Sequence, residues 1–121
     1  MKLVWNVPFN GLTIAEGWID TEALLTLPDG EERVRGLMRE VLAGAKALGH
    51  EIPEEFMDRQ VAVTRPMGKY RPSSMIDFVE GRDVEVAGIW EEPLRRAKAA
   101  GAVLPCWEAL LEQIRQRLVE R

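Results

Sequence analysis

One cysteine and one histidine in 121 residues leave little for disulfide or metal chemistry. Cys106 alone excludes an intramolecular disulfide and fits a reducing compartment, so the expected location is cytoplasmic. His50 alone argues against a histidine-based metal site, and none is expected. There is no run of 18 apolar residues and no signal-peptide pattern, so no membrane partner is expected. Positive charge is also short. The net charge of −4, with only Arg95, Arg96 and Lys98 clustered, argues against nucleic acid as a partner. No segment has the alternation of a strand, and none repeats. No G-x-G-x-x-G occurs, so nothing marks a seat for a dinucleotide, and the cofactor-binding residues stay unknown.

What remains is helical. Apolar residues make up 46% and charged residues 30%, enough for one domain with a true core. The first helix spans Met1 to about Glu16, interrupted by Pro8, which removes a backbone donor and frees the Val4 carbonyl. Asp20 or Thr21 caps a short helix through Leu27. Val34, Leu37, Met38, Val41, Leu42, Ala45 and Leu48 form one apolar stripe that Gly49 ends. Pro53 starts a helix running to about Arg65, and Pro66 to Pro72 is a loop. A short helix follows over Ser73 to Phe78, then a turn at Gly81–Asp83. A helix from Glu85 to Ala100 buries Ile89, Leu94 and Ala97 and must kink or break at Pro93. A last helix from Pro105 buries Trp107, Leu110, Leu111, Ile114 and Leu118. The spacing predicts an all-α bundle of six or seven helices. Cys106, just after Pro105, reads as a small packing residue.

Two polar groupings stand out against this apolar background. Lys2, Asn6 and Asn10 recur every four residues. Four residues of α-helix advance ~400°, so Asn6 lies about 40° and Asn10 about 80° round from Lys2. Unpaired buried amides cost roughly 1–3 kcal/mol each, so such a stripe faces a ligand, a cleft or a hydrogen-bond network. The second grouping is Ser73, Ser74 and Glu85 around the turn after the proline-rich loop. Taken singly, the serines read as helix caps and the glutamate as a dipole partner.

Taken together, KLVWNVPFNGLT, RPSSMIDFVEGRDVEV and GIWEEPLRRAKAAG, the last followed by a proline, carry a resemblance. In order and spacing they resemble the C-terminal domain of the ketopantoate reductases (2-dehydropantoate 2-reductases), over nearly the whole chain. The resemblance implies a 6-phosphogluconate dehydrogenase C-terminal-domain-like fold. It implies Lys2 as catalytic general acid, Asn6 and Asn10 as substrate-binding amides, and Glu85 as the carboxylate that binds the substrate hydroxyl and steadies the lysine. The substrate-binding serine is Ser73 by its spacing from Glu85, or Ser74 by the Ser-Met dipeptide. Asn10-Gly11 and Val84-Glu85-Val86-Ala87 depart from the family's usual Asn-Pro and Thr-Glu-Ile-Asp. The implied activity is NADPH-dependent reduction of a 2-keto acid such as ketopantoate, in pantothenate biosynthesis. The cofactor would be held by an N-terminal Rossmann domain absent from this chain, fused or separate. Removing that domain would bare apolar surface, with Val4, Trp5, Phe9 and Trp18 as the residues that would face it, and the chain is expected to self-associate as a homo-oligomer. The alternatives are a non-catalytic helical dimerisation module and a reductase domain for a different 2-keto acid.

Overall fold

Two prolines shape the two helices that matter most to the site. In the computed structural model, which describes residues 2–121, α1 (Lys2–Trp5) passes into a π-helical turn over Asn6–Asn10 and continues as α2 (Gly11–Ala15). An α-helix would require an N–H from Pro8 toward the Val4 carbonyl and would press the ring onto that oxygen. Widening the turn avoids both. The interruption expected at Pro8 is therefore a widened turn that contains both Asn6 and Asn10. The expected helix start at Met1 lies outside the described residues. A second π-turn, Ala87–Glu91, runs directly into α7 (Glu92–Ala99), whose second residue is Pro93.

The other helices follow their caps. Asp20 Oδ1 accepts the Ala23 N–H at 2.8 Å and starts α3 (Thr21–Thr26). The longest helix, α4 (Gly30–Ala47), begins one turn before the apolar stripe and stops before Gly49, whose φ of +90° ends it. Then come α5 (Glu55–Thr64) with a 3₁₀ turn over Arg65–Met67, α6 (Ser73–Val79) and α8 (Pro105–Glu120). Counted as continuous rods, with each π-turn joined to its α-helices, the described residues form seven helices and no strand.

The first rod runs through the middle of the molecule and packs against α4, α6 and α8. Val4, Val7, Phe9, Leu12 and Ile14 are all buried. Two of the residues expected to face a missing domain, Val4 and Phe9, are thus core. An apolar residue on a helix can serve either purpose, and here neighbouring helices enclose that face. Trp5 is half-buried and its indole donates to Thr64 Oγ1 at 2.8 Å. Of the four, only Trp18 is exposed, at 50%. It sits at φ +53° just after Gly17, with the Arg117 guanidinium over its ring. On α7 and its π-turn, Leu94 and Ala97 are buried as expected, Ile89 is only half-buried, and Trp90 is sealed completely.

Cys106 is not a packing residue. It is exposed at the start of α8, where Glu40 from α4 accepts the Cys106 and Trp107 backbone N–H groups at 2.9 Å each. A glutamate therefore occupies the anion seat that a thiolate would have used. Its hydrogen bond with the thiol, burial and its charge together push the Cys106 pKa up. Glu40→Gln should lower that pKa and speed alkylation of Cys106 by iodoacetamide at mildly alkaline pH. An unchanged rate would show that Glu40 does not hold the thiol protonated.

Candidate active site

Asn10 is the joint of the site. It is only 2% exposed, because the π-turn and the neighbouring helices close round it. Its Nδ2 donates to Asn6 Oδ1 at 3.1 Å, and its Oδ1 accepts the Ser74 backbone N–H at 3.0 Å. One carboxamide thus ties the first rod to the opening turn of α6, where the chain emerges from Pro72 with backbone amides to satisfy. Asn6, Asn10 and Ser74 are brought together. Ser74 is 4% exposed, while Ser73, one residue earlier, faces out.

Asn6 is differently placed. It is half-buried, and its amide nitrogen has no partner among the described residues. Trp107 Nε1 is the only buried side-chain nitrogen or oxygen atom without a partner among the described residues. The Asn6 Nδ2 is therefore open to its surroundings and free to donate. Asn10→Ala should act first on stability. It leaves the Ser74 N–H without a partner, at a cost of about 1–3 kcal/mol. Urea unfolding of the two alanine variants would check this, since Asn6→Ala should cost markedly less.

Lys2 and Glu85 are exposed and form no ion pair, with each other or with other described residues. Neither takes part in the Asn6–Asn10–Ser74 hydrogen bonds, and neither lines the cleft that adjoins them. Leu3, beside Lys2, and Gly88 line one cleft of about 360 Å³ with Val41, Pro93 and Trp107. The Glu85 side chain folds back over Gly88, where a Cβ would stand 2.7 Å from Glu85 Oε1. Gly88 is therefore required for this pose of the carboxylate. The connection leading to Glu85 is held from α8, with Arg121 Nη1 donating to the Phe78 carbonyl at 3.1 Å and the Arg82 carbonyl at 3.0 Å. Arg82 in turn pairs with Glu80 and Asp77, which hold its guanidinium above its ordinary pKa.

An open amide beside a buried amide and the opening turn of α6 suits a small polar ligand with oxygen acceptors. The family description "Ketopantoate reductase PanE/ApbA C terminal" matches residues 1–118. The chain belongs to the ketopantoate reductase family, as its C-terminal domain. A 2-dehydropantoate 2-reductase of Nostoc sp. is 39% identical over 114 residues, 94% of this chain and 35% of that protein. The crystal structure of a 2-dehydropantoate 2-reductase from Geobacter metallireducens superposes with a TM-score of 0.90 at 38% identity, over 95% of this chain and 38% of that one. That of Methylococcus capsulatus gives 0.90 at 31%, over 98% and 41%. The chain therefore spans well under half the length of these ketopantoate reductases.

Several residues that shape this domain have no prominence in the sequence. Trp90 lies within GIWEEP, yet nothing local says that its indole reaches Val7. Gly11 follows Asn10 with no visible reason until a Cβ is placed on it, 2.6 Å from Leu110 Cδ2 and 2.9 Å from Trp90 Nε1.

Proposed function

We propose that this domain supplies the substrate-binding and catalytic residues of an NADPH-dependent 2-dehydropantoate 2-reductase. The observation that carries the reading is the Asn6–Asn10–Ser74 joint, in a chain matched to the family over residues 1–118. Among the described residues there is no strand, and hence no strand–turn–helix to seat a pyrophosphate. The dinucleotide does not fit this chain alone, and an N-terminal Rossmann domain, fused or separate, would hold it.

Reduction of a 2-keto acid turns the carbonyl oxygen into an alkoxide that needs a proton and nearby positive charge. In this reading Lys2 gives both, and its ammonium is exposed and pairs with no carboxylate of the described residues. Asn6 donates to the substrate through its open amide, and Ser73 or Ser74 through a hydroxyl. Glu85 accepts from the substrate hydroxyl and holds the ammonium toward it. Asn10 contributes its remaining Nδ2–H and keeps Asn6 and α6 in place.

The test is reconstitution. Alone, the chain should neither bind NADPH tightly nor reduce ketopantoate. Combined with a cofactor-binding domain of its own protein, in one chain or in trans, it should reduce ketopantoate with NADPH in preference to NADH. Absence of turnover with ketopantoate but turnover with another 2-keto acid would move the substrate assignment and keep the reaction class. Absence of turnover with any would end the reading.

A further inference from the structure

The Asn6–Asn10 pair sits in a π-turn, and this changes which way the amides point. A π-turn spreads about 4.4 residues over a turn, so four residues advance roughly 330° rather than ~400°. Asn10 then lies about 30° behind Asn6 instead of about 40° ahead of it. The fan that a regular helix would open, to about 80° between Lys2 and Asn10, folds back to about 10°. On that geometry the widened turn brings the three polar side chains toward one direction.

Something must hold the turn in that form, and Pro8 alone does not. It forbids one α-helical hydrogen bond, at the Val4 carbonyl, while the Val7 carbonyl keeps its α-helical donor, the Gly11 N–H, and has a lone pair for a second. Trp90, completely buried, donates its indole N–H to that carbonyl at 3.1 Å. The Gly11 backbone N–H also reaches it. Trp90 belongs to the other π-turn, the one entered from Glu85. The indole can approach only because Gly11 has no Cβ, which would lie 2.9 Å from Trp90 Nε1. One hydrogen bond thus joins the widened turn that aims the amides to the widened turn that follows the carboxylate.

We propose that Trp90 is a positioning residue: its indole N–H fixes the register of the Asn6–Asn10 turn and through it the aim of the substrate-binding amides. The catalytic half of this inference rests on the reductase reading above, and the structural half does not. The test replaces Trp90 with 3-benzothienylalanine, which keeps the bicycle and exchanges the N–H for sulfur. The side-chain amide resonances of Asn6 and Asn10 are followed by ¹H–¹⁵N NMR on the chain itself. KM and kcat for ketopantoate are measured with the cofactor-binding domain present. The melting point should stay near that of the parent while both Asn resonances move. KM should rise about fivefold, the scale of one lost hydrogen bond, with kcat nearly unchanged.

Unmoved resonances overturn the proposal even if the parent enzyme is active. Moved resonances with an unchanged KM overturn it too, because the register would then not matter to substrate. Moved resonances with a parent that reduces no 2-keto acid uphold the structural coupling and remove the reductase reading instead. Should the replacement fail to fold, Trp90→Phe offers the second route. It keeps an aromatic ring and removes the N–H that reaches the Val7 carbonyl, so the same resonances should move and KM should rise. If they hold still in Trp90→Phe, the indole N–H does not set the register and the proposal falls.

Discussion

Lys2→Ala lowers kcat by roughly 10²–10⁴ when the domain works with its cofactor-binding partner, the range expected for loss of a general acid. The reasoning starts from what surrounds the side chain. Lys2 is exposed on the first described turn of the molecule, and no carboxylate of the described residues pairs with it. Its removal should therefore leave folding almost untouched, and an exposed helix-end alanine alters stability by no more than about 0.5 kcal/mol. A large loss in kcat beside an unchanged melting curve would be chemistry rather than structure. KM should change less, because Asn6 and the α6 serines do most of the holding in this reading. Near-normal turnover of Lys2→Ala would reduce Lys2 to a surface residue, and the catalytic assignment of the domain would have to be given up.

The sequence carries this much because the site is built mostly from short-range spacing. Lys-x3-Asn-x3-Asn places three polar groups on one rod whatever lies around it, and Ser-Ser-Met before Glu85 is local too. Helix boundaries near strong caps are equally local. Asp20, Gly49 and Pro105 each act within a turn of where the helix begins or ends. What failed to show was set by partners distant in sequence. Pro8 announced a disturbance, but whether the chain breaks, kinks or widens depends on Trp90, 82 positions later, and on the space Gly11 leaves. Asn10 looked like a ligand-binding amide, and its bond to Ser74 could not be foreseen from either segment. An apolar helix face does not say what covers it, so the spacing of Val4 and Phe9 fits a domain interface as well as the core they enter. Likewise a residue after a helix-starting proline, such as Cys106, is buried or exposed according to how α4 lies against α8.

Gly30→Ala should destabilise the domain by about 3 kcal/mol, at the upper end for overpacking, and lower the melting point by roughly 10 °C. Gly30 opens α4, its N–H donating to the Leu27 carbonyl at 3.0 Å in the tight turn after α3. Its φ is not positive, so backbone conformation alone would admit alanine. The obstacle is contact. A Cβ there would lie 1.8 Å from the Leu24 carbonyl oxygen and 3.3 Å from Leu27 Cβ. A side chain could swing away, but a backbone carbonyl moves only if the end of α3 moves with it. The cost is therefore a displaced α3–α4 corner and not a rotamer change. Gly36, six residues further along the same helix, is the control. A Cβ there meets nothing within 4 Å, and alanine should stabilise the helix by about 0.5–1 kcal/mol through a stiffer unfolded chain and better helix propensity. The two substitutions add the same methyl to one helix and are expected to shift the melting point in opposite directions. Thermal denaturation of both, followed by far-UV circular dichroism, decides the matter. If Gly30→Ala melts with the parent, the α3–α4 corner is looser than the contact implies, and its tightness cannot be what sets the start of α4.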